Sequence, residues 1–236
     1  YFECGDCGSL CINSIPTQLS KYYPSHYYSF TRNDGQHPQD IGWIRRKLRA
    51  QRATFNIYGT GLLGALVQRL GTDYFRYPWR WFQVAGVTPA SAILDNGCGG
   101  GALLRALRDQ GFTNLSGVDP FIAESISEPN LKITKGEIFD LKGTYDLIMF
   151  HHSLEHVADP ARYLAAAAEV CAPGGAVIVR IPVADGYGWR EFGEYWFALD
   201  APRHADGGPA IFRACAILYR YWRHTLWCQP HWWRHG

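Results

Sequence analysis

The sequence has no uninterrupted apolar run as long as the roughly 18 residues that a membrane-spanning helix requires. It also has little excess of either charge, since 23 Lys and Arg against 21 Asp and Glu give a formal net charge of +2. That balance gives no electrostatic reason to expect nucleic acid or a membrane surface as a partner. Because 47% of the residues are apolar and 19% are charged, we expect a folded protein with a substantial core.

Cysteine usage argues against a secreted protein. The seven cysteines are an odd number in a chain of 236 residues, which does not suit the disulfide framework of a small secreted domain. We therefore expect reduced thiols and a cytoplasmic location. The chain begins with Tyr1 and not with Met, so we expect the parent protein to extend further upstream.

Composition and periodicity divide the chain into four parts. Residues 1–40 are rich in Cys, Tyr, Pro and Ser, and residues 41–90 have the apolar spacing of helices, including Ile44, Leu48 and a leucine stripe from Leu62 to Leu70. Residues 91–204 alternate short apolar runs with helical patterns. Residues 205–236 form an atypical tail without a clear alternation that would supply further strands.

The third part predicts an α/β fold. We expect strands at 92–94, 115–118, 131–134, 145–150 and 176–181, a helix after the first strand, an Ala-rich helix over 161–170 and a turn at 173–175. Because the strands are continuous apolar runs, both faces of the sheet should be buried beneath helices, as in a mostly parallel sheet. The carboxyl ends of such strands meet at one edge, where ligands bind.

A glycine-rich loop follows the first predicted strand. Gly97 allows a sharp turn, Gly99 allows close approach of a ligand, and the next helix offers free N–H groups at its start. Gly97, Gly99 and Ala102 also satisfy the dinucleotide-binding pattern, with Asp119 about twenty residues further on. The glycines alone leave both a nicotinamide-type ligand and another nucleoside ligand open.

Asp95 distinguishes the two ligands. An acid two residues before the first glycine would repel a diphosphate but could pair with a cationic ammonium group. Here the chain resembles the class I S-adenosylmethionine-dependent methyltransferases, whose first motif is acid-x-Gly-x-Gly-x-Gly, matched by Asp95, Gly97, Gly99 and Gly101. The resemblance implies a Rossmann-like methyltransferase core with a mostly parallel sheet and helices on both faces, preceded by a small irregular N-terminal segment.

The same resemblance assigns the cofactor S-adenosyl-L-methionine and most of its contacts. Asp119 matches the acid that holds both ribose hydroxyls, and Glu137 matches a further acid that meets the adenine amino group, where the family more often has Asp. His151 is our choice for a contact to the methionine moiety. The full predicted set of cofactor contacts is Asp95, Gly97, Cys98, Gly99, Gly101, Asp119, Pro120, Glu137, Ile138 and His151.

A histidine-rich segment follows the fourth strand. His152, Glu155 and His156 spell H-x-x-E-H, a zinc-protease pattern, but it begins at a strand end and not on a helix. The stretch resembles the fourth motif of small-molecule methyltransferases, and in some quinone-biosynthesis relatives Glu replaces His152 and a divalent ion binds. We expect no metal here. His152 or His156 is a candidate general base, and a structural role for Glu155 and His156 remains open.

Two further segments carry the resemblance. Trp196, Arg203 and His204 match part of a substrate lid in a bacterial subgroup, with a purely structural loop as the alternative. Cys4 and Cys7 form one C-x-x-C-G knuckle, half of a zinc ribbon, whose other half we expect upstream of this chain.

Together these features predict methyl transfer to a small-molecule acceptor, with sugars and cell-surface or secondary-metabolite precursors as candidates by analogy. The alternatives are an NAD-dependent oxidoreductase and a non-catalytic domain that binds an adenosyl ligand.

Overall fold

The computed structural model describes residues 2–3, 10–11, 42–70, 79–157, 159–182, 187–196 and 218–220. The first two segments form the short antiparallel strands β1 (Phe2–Glu3) and β2 (Leu10–Cys11). The cysteine knuckle at Cys4 and Cys7 lies outside the described residues, as do most of the residues beyond Trp196. None of the helices in the described segments is both long and apolar enough to cross a membrane.

Three helices precede the sheet: α1 (Trp43–Tyr58), α2 (Leu62–Leu70) and α3 (Trp79–Ala85). Helices were predicted here, but the predicted apolar stripe is not the buried face. Leu62 is 93% exposed, whereas Gly64 is buried against α1. A Cβ at Gly64 would lie 2.3 Å from the Gln51 carbonyl oxygen, so α2 contacts α1 through its glycine and turns its leucines away.

This glycine contact gives a stability prediction. Gly64→Ala should destabilise the protein by about 1–3 kcal/mol, because overpacking outweighs the better helix propensity of alanine. Gly42→Ala is the matched control, since no atom lies within 4 Å of its added Cβ. Urea denaturation of the two variants measures the difference. Equal stabilities would contradict the close approach of α1 and α2.

The main sheet has seven strands in the order β5-β6-β4-β3-β7-β8-β9. Its central strands β6, β4, β3, β7 and β8 are parallel, and β5 and β9 pair antiparallel at the two edges. The bounds are β3 (Ile93–Asn96), β4 (Leu115–Asp119), β5 (Ile126–Glu128), β6 (Leu131–Lys135), β7 (Tyr145–His151), β8 (Cys171–Arg180) and β9 (Leu218–Arg220). The Rossmann-like class predicted from the sequence is confirmed.

Helices α4 (Ala102–Asp109) and α5 (Pro160–Val170) connect these strands, and α6 (Tyr187–Phe192) follows β8. Alternate residues of the central strands enter different apolar clusters. Ile93, Leu147 and Ile178 belong to one cluster, and Leu94 and Ile148 belong to the other. Both faces of the sheet are therefore buried, as the continuous apolar runs predicted.

The end of the sheet differs from the predicted strands in two respects. Strand β8 begins at Cys171, before the predicted turn at 173–175, and the chain bulges there: the pairing with β7 skips from Cys171 to Ala176, and Gly174 has a φ of 81°. The tail showed no alternation typical of strands, yet β9 pairs with β8 from Ala176 to Ile178. Its three residues are too few for alternation to be recognised in the sequence.

Candidate active site

The two predicted acids lie at the carboxyl ends of neighbouring strands. In the parallel pair of β3 and β4, Asn96 is opposite Val118, which brings Asp95 and Asp119 to the same edge of the sheet. Asp95 is 3% exposed and Asp119 is 5% exposed. The Asp119 charge contributes to raising the pKa of Asp95, so the two carboxylates share one environment. The structure thus brings together the residues on which the sequence argument depended.

Asp95 has the most perturbed environment of this pair. Burial, and then the neighbouring Asp119 charge, raise the pKa of the Asp95 carboxyl to about 8. Among the described residues, no hydrogen-bond donor reaches its Oδ1 atom. A buried acceptor without a partner is destabilising, and a ligand ammonium group would pair with it. This acidic acceptor fits the ammonium group of S-adenosylmethionine and, when charged, would repel a diphosphate.

Asp119 forms hydrogen bonds that stabilise the glycine loop. Its Oδ2 atom accepts a hydrogen bond from the Gly99 N–H at 2.9 Å, and its Oδ1 atom accepts one from the Phe121 N–H at 2.8 Å. Burial raises the pKa of Asp119, and these bonds oppose the shift. Backbone N–H groups of Gly99, Phe121 and Ile122 all stabilise this carboxylate. A carboxylate has about four lone-pair sites, so it can still accept from the ribose.

The glycine loop turns through left-handed backbone conformations. Gly97, Gly99 and Gly101 have φ values of 74°, 53° and 81°, which confirms the turn that the sequence predicted. A Cβ at Gly97 would lie 2.4 Å from the Ser153 Cβ, and one at Gly101 would lie 2.3 Å from the Ile133 Cδ1. Neighbouring protein atoms, therefore, already exclude side chains at these two glycines.

Cys98 directs its side chain onto the sheet. A Cβ at Gly117 would lie 2.5 Å from the Cys98 Sγ and 2.8 Å from a Leu104 methyl, so the thiol fills the space left by that glycine. Burial is the main reason why the pKa of the Cys98 thiol is raised. The cofactor contact predicted for Cys98 remains a prediction. Because the thiol packs against the sheet, the main-chain atoms of Cys98 would make that contact.

The histidines follow the end of β7. His151 is partly buried, and burial together with the Arg180 charge lowers its pKa to about 3, which makes it a neutral imidazole. His152 is a non-glycine residue with a φ of 53°, a strained conformation that is enriched at functional sites. Its exposed side chain lies with Nδ1 3.5 Å from the Glu155 Oε1 atom.

Glu155 is a buried carboxylate in this turn. Its side chain is 1% exposed, and no hydrogen bond reaches its Oε2 atom from the described residues. His156 ends the short 3₁₀ turn Leu154–His156 and donates its N–H to the Ser153 carbonyl at 3.1 Å. The H-x-x-E-H residues therefore do not share an α-helix, and no group of three metal-binding side chains occurs in the described part of the chain.

Sequence reasoning missed Ser153. Its hydroxyl donates to the Asn96 carbonyl at 2.6 Å, and its Cβ occupies the space beside Gly97. Ser153 therefore connects the end of β7 to the glycine loop. A serine between histidines and a leucine gives no local signal of this long-range contact.

The remaining predicted cofactor residues differ in position. The Glu137 carboxylate accepts a hydrogen bond from the Tyr163 hydroxyl at 2.7 Å, which raises the pKa of Tyr163 in addition to the effect of burial. Ile138 is 1% exposed in the core and Pro120 is exposed. Their contacts with adenine and ribose remain predictions.

The predicted substrate lid is only partly described. A Cβ at Gly188 would lie 2.4 Å from the Trp196 Nε1, so the indole packs closely on α6. Arg203 and His204 lie outside the described residues. The predicted substrate contacts of all three residues stay predictions.

Asp95 should make ligand binding depend on pH. We expect the Kd for S-adenosylhomocysteine to rise roughly 50-fold from pH 8 to pH 6, because a carboxyl of pKa about 8 must lose its proton before it pairs with the ligand ammonium. Titration calorimetry in buffers of different ionisation enthalpy should record the released proton. Asp95→Asn is the control, and a pH dependence that persists unchanged in this variant would contradict the role of Asp95.

Comparisons with known proteins agree on one family. A family model described as a methyltransferase domain matches residues 59–218, more than half of the chain. The ubiquinone biosynthesis O-methyltransferase of Thiobacillus denitrificans is 31% identical over 114 residues, which are 41% of this chain and 46% of that protein. The protein of the same description from Caulobacter sp. is 33% identical over 107 residues, 40% of this chain and 42% of that protein.

The matched segments thus span somewhat less than half of the curated relatives. Among solved structures, the plantazolicin methyltransferase BpumL in complex with a desmethyl analogue and SAH is 18% identical, with a TM-score of 0.40. That alignment covers 71% of this chain and 53% of that chain.

Proposed function

Because the chain belongs to the family of methyltransferase domains, we propose that it transfers a methyl group from S-adenosylmethionine to a hydroxyl oxygen of a small molecule. One observation carries the proposal: the buried carboxylate of Asp95, beside Asp119, has an oxygen that no described residue satisfies. A ligand cation at the carboxyl end of β3 would satisfy it. The same charge disfavours the nicotinamide dinucleotide that the glycines alone left open.

Four residues would hold the cofactor. Asp95 would pair with its ammonium group, and Asp119 would accept the ribose hydroxyls with the lone pairs that the loop leaves free. Glu137, already held by Tyr163, would accept from the adenine amino group. Neutral His151 would lie beside the methionine moiety without repelling its positive charges.

His152 is the proposed general base. When bound, S-adenosylmethionine supplies a methyl group activated by its sulfonium. His152 would accept the proton of the acceptor hydroxyl, because its side chain is exposed at the end of β7. Glu155 would orient the imidazole through the Nδ1 contact, while His156, the other candidate from the sequence, is partly buried in the 3₁₀ turn.

The acceptor class rests on analogy. The curated relatives are named O-methyltransferases, which supports a hydroxyl acceptor. Sugars, cell-surface precursors and secondary-metabolite precursors remain our candidates, bound in part by Trp196, Arg203 and His204. We also keep a cytoplasmic location and the four-part division at residues 40, 90 and 204 as proposals.

An acceptor screen tests this function. The protein is incubated with methyl-labelled S-adenosylmethionine and panels of phenols, sugars, carboxylic acids and amines, and S-adenosylhomocysteine formation is measured. We expect turnover only with acceptors that carry a hydroxyl group, and no turnover with their O-methyl ethers. Turnover with amines alone would contradict oxygen as the acceptor atom. Binding of the cofactor without turnover on any panel would favour a non-catalytic domain.

A further inference from the structure

A buried arginine forms a hydrogen bond to the glycine loop. Arg105 of α4 is 7% exposed, and a buried guanidinium is stable only where its donors find acceptors. Its Nη1 atom donates to the Gly100 carbonyl. Its Nε and Nη2 atoms donate to Glu128 at 3.1 and 2.7 Å. One side chain thus connects the loop to the edge strand β5.

The loop needs such support because it contains three consecutive glycines. Gly99, Gly100 and Gly101 have the largest conformational freedom of any residue type, so ordering them costs more entropy than ordering other residues. The Gly101 N–H donates to the Cys98 carbonyl at 3.0 Å. With the Gly100 carbonyl held by Arg105, both polar groups of the peptide between Gly100 and Gly101 have partners.

Glu128 reaches Arg105 because β5 and β6 form a tight hairpin. Glu128 is opposite Leu131, and between them Asn130 adopts a φ of 62°. The carboxylate also accepts from the Arg108 Nη1 at 2.6 Å. Hydrogen bonds from the two arginines lower the pKa of Glu128 to about 2, so the carboxylate stays charged at any pH at which the protein would be assayed.

We propose that Arg105 is a positioning residue, which holds the Gly100 carbonyl and thereby keeps the glycine loop in the conformation that binds the adenosyl cofactor. Because Arg105 is buried and contacts the loop, we expect it to change the affinity for the cofactor indirectly, through the loop conformation. This inference rests on the proposed function for its ligand, although the restraint on the loop exists without any ligand.

Arg108 provides a matched control. Arg105→Met and Arg108→Met each remove one arginine from Glu128 and leave the other, but only the first removes the bond to Gly100. We expect the Kd for S-adenosylhomocysteine to rise about tenfold in Arg105→Met and less than about twofold in Arg108→Met. Hydrogen exchange of the Gly99, Gly100 and Gly101 amides in ligand-free protein should accelerate only in the first variant.

The outcomes separate this inference from the proposed function. Equal changes in affinity and exchange in the two variants would overturn the role of Arg105. If the wild-type protein did not bind the ligand, the proposed function would fail, and the exchange measurement would still show whether Arg105 restrains the loop.

If Arg105→Met did not fold, Arg105→Lys replaces it, because lysine cannot form hydrogen bonds to both partners. Faster glycine exchange than in Arg108→Lys is then expected, and equal rates would overturn the inference.

Discussion

Replacing Asp119 by alanine is expected to raise the Kd for S-adenosylhomocysteine about 100-fold or more. Each ribose hydroxyl would lose a hydrogen bond to a charged acceptor, and two such bonds account for a change of this size. The Gly99 N–H would also lose its partner at 2.9 Å, so the loop would be less ordered before binding. Titration calorimetry with the purified variant measures the effect directly.

Asp146→Ala is the matched control for this experiment. Asp146 also accepts a main-chain hydrogen bond, from the Ala92 N–H at 2.8 Å, but it lies near the start of β7 at the opposite edge of the sheet. We expect it to lower stability without changing the Kd. If both variants bound the ligand as the wild-type protein does, Asp119 would have no part in the site.

His152→Gln is expected to lower kcat for a hydroxyl acceptor by about 100-fold or more, in the range by which general bases accelerate reactions. The KM for S-adenosylmethionine should change little, because His152 is proposed to contact the acceptor and not the cofactor. Steady-state assays with the best acceptor from the screen separate the two constants.

His156→Gln is the comparison for this variant. Both histidines belong to the same short segment, but the exposed His152 imidazole lies 3.5 Å from the Glu155 carboxylate, whereas His156 is partly buried. We expect His156→Gln to keep kcat within a few fold of the wild-type value. A larger loss of kcat in His156→Gln than in His152→Gln would assign the base to the other histidine.

The parts of the fold that the sequence predicted correctly are those with local causes. Strands buried on both faces are mostly apolar, so β3, β4 and β7 were recognisable by their short apolar runs. The loop was recognisable because left-handed backbone conformations at Gly97, Gly99 and Gly101 require glycine. Asp95 and Asp119 could then be identified as site residues, since each occurs at a strand end.

The parts that were missed depend on contacts between distant residues. Whether the leucines or Gly64 of α2 would face α1 depended on how closely two backbones approach, which periodicity does not report. Strand β5 has three residues, two of them polar, and the role of Glu128 depends on arginines some twenty residues earlier. The same is true of Ser153, whose partner Asn96 is 57 residues away.

The most direct test of the account is a comparison of two ligands on the wild-type protein. Titration calorimetry at pH 8 should show stoichiometric binding of S-adenosylhomocysteine and no measurable binding of NADH, because the carboxylates at the ends of β3 and β4 attract an ammonium group and repel a diphosphate. Tight binding of NADH, with no heat from the adenosyl ligand, would contradict it.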